Sequence, residues 1–444
     1  MKFHRSLFPT LFLLYILAFA PTAAASDLLV TGDNSGTVLR YNGRTGEFIE
    51  EFVATGSGGL TRPDGLDFAP NGSLLVVDLN LDQILEYNGG NGDFIANFGP
   101  AGPSGDCVVT GPDGNIYACD FTDDQVFRIA PDGTGAPFLT GIDGPEGLDF
   151  DAAGNIYVSG CNENAVRRFD GSTGQLIDVF VTASSGGLSC PVGVLFGPDG
   201  NLYVSDLDNS RVLRYNGVSG AFIDEFVPAG SGGLSTPFGM VFRSDGNLYV
   251  ASLDTDEILR YNGTTGAFID AFVSAGSGGL TQPLYMVFFP AGELQFSVAN
   301  FSVDETAGSA AVEVVRVGGT NGEVTVQFDT SDGTAVAGTD YTAVSETLVF
   351  AEGETSQTVN IPILQSSLDA NDKTVNLTLS DPTDDAELGD PDTAILTIEG
   401  EEIEGDGGCR LASKARHPAG ISFLALGLIL LAAFRKTSAA RSGR

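Results

Sequence analysis

The sequence predicts an all-β chain in two parts, a six-bladed β-propeller closed by strands from both ends and then a seven-stranded β-sandwich. Three observations carry this. The stretches YNGVSGAFIDEFVPAGSGGLSTPFGMVFRSDGNLYVASLDTDEILR (215–260) and YNGTTGAFIDAFVSAGSGGLTQPLYMVFF (261–289) are copies of one repeat. Its period lies in the 20–50 residue range in which each unit buries its apolar face against the next. From Gly292 the repeat stops, and short segments alternating apolar and polar residues take over, the pattern of half-buried strands.

One blade reads as four strands. An inner strand follows Pro-x-Gly (PDGLDF from 63, PEGLDF from 145, PVGVLF from 191, PFGMVF from 237). A turn of the Pro-Asp-Gly kind comes next, where glycine supplies the positive φ of the bend. The second strand, Gly-Asn-Leu/Ile-Tyr-Val (114–118, 154–158, 200–204, 246–250), has the apolar and aromatic content of a buried strand. The third ends at Tyr41, Tyr87, Phe169, Tyr215 and Tyr261, and Asn-Gly or its equivalent opens a hairpin into an outer strand such as GEFIEEFV or GAFIDAFV.

The residue inside Pro-x-Gly falls at Asp64, Asp106 (where the motif has decayed to GDC), Glu146, Val192, Phe238 and Leu284, spaced 42, 40, 46, 46 and 46. Second strands begin with LLV at 28–30 and recur at 74, 116, 156, 202 and 248. The chain therefore enters the ring at a second strand and leaves it at an inner strand, QPLYMVFF (282–289). That last strand must complete the first blade, which leaves no sheet edge bare at the closure. The propeller spans 27–290.

In 292–402 the segments FSVDE (301–305), VEVVRVGG (312–319), VTVQFDTSDGTAVAGTDY (324–341), ETLVFAEGET (346–355), VNIPIL (359–364), VNLTLSDP (375–382) and AILTIEGEE (394–402) read as the sandwich strands. Residues 403–417 have the glycine and charge content of a linker, with Gly407, Gly408 and Cys409 in it. Pro418–Phe434 is an uncharged apolar run at the short end of what spans a bilayer, and 435–444 is basic, which places this tip in the cytoplasm. At the other end a basic start, an apolar run and the small residues before Ser26 form a secretory signal peptide over 1–25, cut after Ala25. The chain is expected to be exported and tethered by its C-terminal span.

Acidic residues number 58 against 21 basic ones, for a net charge of −37. Such a body repels phosphate backbones, which argues against nucleic acid as a partner. The two histidines, His4 and His417, lie outside the folded body, so Ser-His-Asp and Cys-His catalysis and histidine-bound zinc are excluded there. Without tryptophan a stacked-sugar site loses its usual platform, although tyrosine and phenylalanine could replace it. Four of the five cysteines lie in the propeller, an even count in an exported chain. Cys107 and Cys119 flank a turn symmetrically and should face each other across an antiparallel pair. Cys161 and Cys190 lie in loops on one face of adjacent blades, and a bridge would staple them. Free cysteines as metal ligands are the alternative, with no Cys-x-x-Cys or histidine to support them.

The chemistry left is that of carboxylates. Asp64, Asp106 and Glu146 occupy equivalent inner-strand positions of three successive blades at the mouth of the central channel, and Asp78, Asp120 and Asp206 end second strands on the same face. They admit three readings: acids that cap backbone amides or face solvent, a non-catalytic calcium site, or a catalytic metal site.

The run Pro-x-Gly, Gly-x-Leu-Tyr-Val, Asp over about 27–290 resembles NHL-repeat propellers and the related gluconolactonase and regucalcin family. In gluconolactonase-like members, acids and amides at the mouth hold a divalent ion that polarises a lactone carbonyl. The resemblance therefore implies a weakly held calcium on Asp64, Asp106, Glu146 and Asp120. Val192, Phe238 and Leu284 break the circle of ligands in the other half of the ring. The strings DGTAVAGTDY and LVFAEGETSQTVNIPI resemble the Calx-beta domain, whose calcium-binding members take the ion at one end of the sandwich. Of that set Glu305 and Asp340 are retained, while QSSLDAND (365–372) replaces an acidic run, so the resemblance implies weak calcium binding or none. The closing acidic run is EGEE (399–402). The tail, with its Gly-Gly-Cys, short span and basic tip, resembles sorting tails of Gram-negative envelope proteins; a plain membrane anchor is the alternative. Two function classes follow. One is a non-enzymatic binding platform at the cell envelope or surface, with a protein or polysaccharide partner and a role in cell communication or adhesion. The other is a calcium-dependent lactonase-like hydrolase.

Overall fold

A computed structural model describes residues 26–100, 106–364 and 371–400. The signal peptide, linker, apolar span and basic tip, with Ala25, Gly407, Gly408 and Cys409, lie outside the described residues. No helix among the described residues is long and apolar enough to cross a membrane.

Six four-stranded antiparallel sheets form the propeller. The first blade takes Leu28–Gly32, Thr37–Tyr41 and Phe48–Val53 from the start of the chain and its inner strand, Pro283–Phe288, from the end of the repeats. Leu28 pairs with Phe288 and Leu29 with Val287, closing the ring as the strand count requires. Blades two to six follow in chain order, with inner strands Pro63–Phe68, Val108–Thr110, Pro145–Phe150, Pro191–Phe196 and Pro237–Phe242.

The repeat motif has a packing reason at each position. In Pro-x-Gly, a Cβ on Gly65 would come within 2.7 Å of the Asp106 carbonyl oxygen, and one on Gly147 within 2.4 Å of the Val192 carbonyl oxygen. Neighbouring inner strands approach too closely near the axis for a side chain there. The tyrosine of Gly-Asn-Leu-Tyr-Val stands edge-to-face between the outer-strand Phe of its own blade and the inner-strand Phe of the next. Tyr157 meets Phe180 and Phe196 at 4.8 Å each, and Tyr203 meets Phe226 and Phe242 at 4.9 Å each. Such pairs contribute about 0.5–1.5 kcal/mol beyond the area they bury. The hydroxyls donate to the aspartate of the preceding turn, as Tyr203 does to Asp199 at 3.1 Å and Tyr249 to Asp245 at 2.7 Å.

Third-strand tyrosines tie each blade to the one before it. Tyr87 donates to the Ser57 carbonyl at 2.9 Å, and Tyr41, Tyr215 and Tyr261 donate to Ser277, Ser185 and Ser231, each at 2.8 Å. Each acceptor opens a Ser-Gly-Gly turn, and the outer-strand Phe of the next blade lies on its first glycine. At Gly58 (φ 63°) a Cβ would come within 2.2 Å of the Phe94 ring. Blades two and three lack the Ser-Gly-Gly turn, and the blades that follow them carry Ile129 and Phe169 in place of the tyrosine. Donor and acceptor are lost together.

The sandwich packs the sheet of Glu293–Phe296, Ser309–Val317, Ser356–Pro362 and Glu387–Leu388 on that of Asn300–Asp304, Val324–Asp332, Ser345–Phe350, Lys373–Ser380 and Thr393–Glu399. The seven strands read from the sequence are present. Glu293–Phe296 and the two-residue Glu387–Leu388 are additional; their pairing in parallel to each other gives neither a periodicity of its own. Tyr341, Phe296 and Phe328 fill the core. Arg316, only 2 % exposed, donates to the carbonyls of Ala291 (2.7 Å), Gly322 (2.9 Å) and Asn321 (2.6 Å), pinning the chain where it leaves the propeller. Arg243 of the sixth blade, its side chain 5 % exposed, pairs with Asp385 of the sandwich at 2.8 Å. Asp27 N–H donates to Asn321 Oδ1 at 2.8 Å, so the two domains are joined by satisfied polar contacts.

Candidate functional site

Asp64 and Glu146 are the second residues of their inner strands and Asp106 lies just ahead of the short inner strand Val108–Thr110 between them, and the closeness of those strands brings the three carboxyls together. Burial lifts the Asp64 carboxyl well above the usual range, helped by the charges of Asp106 and Glu146 and by a hydrogen bond shared with Asp106. Asp106 is pushed up to about 6, and Glu146 well up, burial being the main cause for both. Asp64 is 2 % exposed, and its Oδ1 has no hydrogen-bond partner among the described residues. Val192 and Leu284 are buried and Phe238 half-buried, forming the apolar half of the ring.

The second-strand acids do other work. Asp78 accepts from the backbone N–H groups of Thr61 (2.5 Å), Arg62, Asn80 and Leu81. Asp120 accepts from Asp123 N–H at 3.1 Å and Gln125 Nε2 at 2.9 Å. Asp206 holds Ser189 N–H at 3.1 Å and Arg211 at 2.7 Å. These are loop staples at one end of the blades, which satisfy backbone groups that would otherwise be buried unpaired. Of the mouth acids Asp64, Asp106 and Glu146, none shows such a contact with a backbone N–H group among the described residues.

Tyr285 was missed from the sequence. It stands where other blades have the glycine of Pro-x-Gly, and the departure PLY for PxG is the signal that could have found it. Its side chain crosses from the first blade to the fourth, diametrically opposite in a ring of six, and donates to the Glu146 carbonyl at 2.9 Å. Below it the channel encloses about 210 Å³ lined by Leu66, Val108, Leu148, Val194, Met240 and Met286, with Asp67 and Asp149 among them. These two acids were also missed, although both stand in GLDF. Burial raises each to about 6 while backbone N–H groups oppose it: Thr110 (2.7 Å) and Phe68 for Asp67, Phe196 (2.7 Å) and Phe150 for Asp149. Asp67 and Asp149 thereby lock neighbouring inner strands together.

Both cysteine pairs are disulfides. Cys107–Cys119, with Cα atoms 5.1 Å apart, joins the inner and second strands of the third blade, whose inner strand is the shortest of the six. Cys161–Cys190 joins the fourth blade to the fifth. Loops of 12 and 29 residues are each stabilised by about 3 kcal/mol in the chain-entropy account.

In the sandwich, Glu305 and Asp340 are 9 % and 7 % exposed, Glu305 following the Asp304–Glu399 pair and Asp340 bonded to Lys373, which lies opposite Ile398 at the same end. Calcium needs six to eight oxygens around one ion. Asp340 Oδ1 is instead bonded to Lys373 Nζ at 2.7 Å and its Oδ2 to Val336 N–H at 2.9 Å. No group of three or more His, Cys, Asp or Glu among the described residues is arranged to hold a metal ion, at the channel mouth or here.

The fold and these sites define an all-β protein with a propeller of four-stranded blades followed by a Calx-beta sandwich. Residues 290–402 match the family model of the Calx-beta domain. The chain is 31 % identical over 128 residues to sodium/calcium exchanger 1 of Canis lupus familiaris, an alignment covering 24 % of this chain and 13 % of the exchanger. It is 36 % identical over 108 residues to adhesion G-protein coupled receptor V1 of Danio rerio, covering 24 % of this chain and 2 % of the receptor. The chain thus spans a small fraction of the length of these relatives. Among solved structures, a chain of a nidogen/laminin complex is similar at 17 % identity with a TM-score of 0.48, over 59 % of this chain and 97 % of that one.

Proposed function

We propose that the protein is an exported, membrane-tethered binding platform without enzymatic activity, whose propeller presents its mouth face to a protein or polysaccharide partner at the cell envelope or surface. In this reading the Calx-beta sandwich spaces the propeller from a membrane reached through 418–434. The observation that carries it is Tyr285, laid across the channel and bonded to the opposite blade beside the mouth acids. A ring so placed narrows the channel beside Asp64, Asp106 and Glu146, where a substrate of the competing reading would have to enter. The engagement of Asp78, Asp120 and Asp206 with their own loops supports the same reading, because those carboxylates already have partners there. The second reading, a calcium-dependent lactonase-like hydrolase, draws on the partnerless buried Oδ1 of Asp64. A lactone panel with metal titration on the full chain and on the Asp64→Asn/Glu146→Gln double variant separates the two. No turnover above background is expected, and metal-dependent turnover lost in the variant would defeat the proposal. Fractionation should find the full chain in the envelope and a chain lacking 405–444 released.

A further inference from the structure

The mouth of the propeller channel is divided in two. Blades two to four give it Asp64, Asp106 and Glu146, and blades five, six and one give it Val192, Phe238 and Leu284. Tyr285 stands between the halves. Its ring is edge-to-face with Phe238, centroids 6.3 Å apart, its hydroxyl reaches the Glu146 carbonyl, and the charges of Asp64, Glu146 and Asp106 all bear on it. Asp64 is 2 % exposed, and its Oδ1 has no partner among the described residues. The carboxyls around it are Asp106, which shares a hydrogen bond with it, and Glu146, so the open oxygen belongs to the mouth. Asp106, Glu146 and Phe238 are only half-buried, and solvent reaches the mouth past them. Arg62, whose positive charge bears on Asp64 and Asp106, gives its guanidinium to Asp33 at 2.6 and 3.1 Å. A buried carboxylate with neither donor nor counter-charge is costly, and a bound cation would remove that cost.

We propose that this mouth binds a primary ammonium group on an apolar stem, the three acids taking the charge and Val192, Phe238 and Leu284 the methylenes. The inference rests on the platform reading and names the chemistry that its partner presents. A lysine side chain of a partner protein and a free alkylamine both carry that chemistry. An ammonium group has three donors, one for each carboxyl of three successive blades. It enters as the proton between Asp64 and Asp106 leaves to solvent, so the buried charge stays balanced. A guanidinium fork instead favours two parallel bonds to one carboxylate. Calcium needs six to eight oxygens at 2.3–2.6 Å, and among the described residues the three acids are not arranged as such a set. Asp33, Arg62, Asp120 and Tyr285 also bear on the acids or feel their charge, and Arg62 is the one cation of these four. Burial favours the protonated acids, and an adjacent ammonium group favours their ionised form. Affinity should therefore fall as pH drops and the acids take up protons.

The test is calorimetric titration of the full chain with Nα-acetyl-lysine methylamide, the corresponding arginine and norleucine amides, and n-butylamine, at pH 5 and pH 7.5. The lysine amide should bind saturably at pH 7.5 and at least about tenfold more weakly at pH 5, with protons released on binding and read as heats that differ between buffers. The arginine amide should bind at least about tenfold more weakly than the lysine amide. The norleucine amide, a stem without the charge, should not bind. Asp64→Asn should weaken the lysine amide by at least about tenfold; Glu146→Gln decides the matter if that variant does not fold, which thermal melting shows. Tighter binding of the lysine amide than of n-butylamine supports the site with a protein as its partner, and the reverse order supports it with a free amine. The inference is overturned if neither amine binds, if the norleucine or arginine amide binds as tightly as the lysine amide, or if binding is unchanged in both variants. Lactone turnover would defeat the platform reading whatever the amines do, whereas the absence of both turnover and amine binding overturns this inference alone.

Discussion

At the scale of single residues, the propeller axis is a column of carboxyls that burial holds away from their usual ionisation. Asp106, Asp67 and Asp149 stand at about 6, with Asp64 and Glu146 raised further. Each folded-state value lies above that of an unfolded chain, roughly 3.9–4.3. Protonation therefore favours the folded state: the stabilisation is complete below about pH 4 and is lost as pH rises through about 6 and beyond. Asp113, Asp151 and Asp199 are shifted the other way by hydrogen bonds from their turns, and their contribution is lost only below the usual carboxylate range. Between pH 7.5 and pH 5 the raised group dominates, so the propeller melting temperature should rise on acidification. Asp64→Asn should flatten that rise. Calorimetry across this interval checks it, and a wild-type melting temperature that falls toward pH 5 would contradict the assignment.

At the scale of elements, blades are joined by small repeated devices rather than by one continuous core. The apolar side chains fall into separate clusters, each shared between neighbouring blades. The tyrosine-to-serine tie is one such device, and a neutral hydrogen bond of this kind contributes about 1 kcal/mol. Tyr87→Phe should therefore lower stability by about that amount, and the reciprocal Phe169→Tyr should give nothing, because the third blade has no Ser-Gly-Gly turn to accept the bond. Equilibrium unfolding of the two variants tests the pairing; a gain from Phe169→Tyr would show that the hydroxyl has another partner. The Cys107–Cys119 disulfide reinforces the third blade, where the Pro-x-Gly motif and both ties are missing. The ties and the tyrosine stacks were legible as a repeat, but which residue answers which was not, because donor and acceptor lie on different blades, 30 residues apart in three of the ties and 236 in the one across the closure.

At the scale of the whole molecule, two contacts decide integrity. The first is the closure of the ring by Leu28–Gly32 and Pro283–Phe288. Deleting 27–35 removes that pairing and should abolish the cooperative melt of the entire propeller; a retained native transition would disprove the closure. The second is Arg243, whose guanidinium is almost fully buried against Asp385 and also donates to the Gly43 carbonyl. Arg243→Ala leaves Asp385 without its counter-charge and should cost about 3 kcal/mol, with the sandwich and propeller melting as separate transitions. A single unshifted transition would mean that Arg316 and the chain junction hold the domains together alone.

The amino-acid sequence by itself determined the all-β class, the six blades, the closure and the sandwich, and it offered the two disulfide pairings that the structure then decided against free cysteines. Each of these is written in local periodicity or in motif spacing, and the period of the repeat limits the number of ways the chain can bury its apolar faces. Only the tertiary structure decided what the polar residues do. Asp64, Asp120 and Asp206 look alike as acids beside strands, yet the first is buried with an oxygen lacking a partner and the others staple loops, because the neighbours that satisfy a carboxylate come from folding. Tyr285 and Lys373 show the same limit: one spans the ring to Glu146 and the other meets Asp340, and contacts between residues 139 and 33 positions apart leave no periodic trace in the chain.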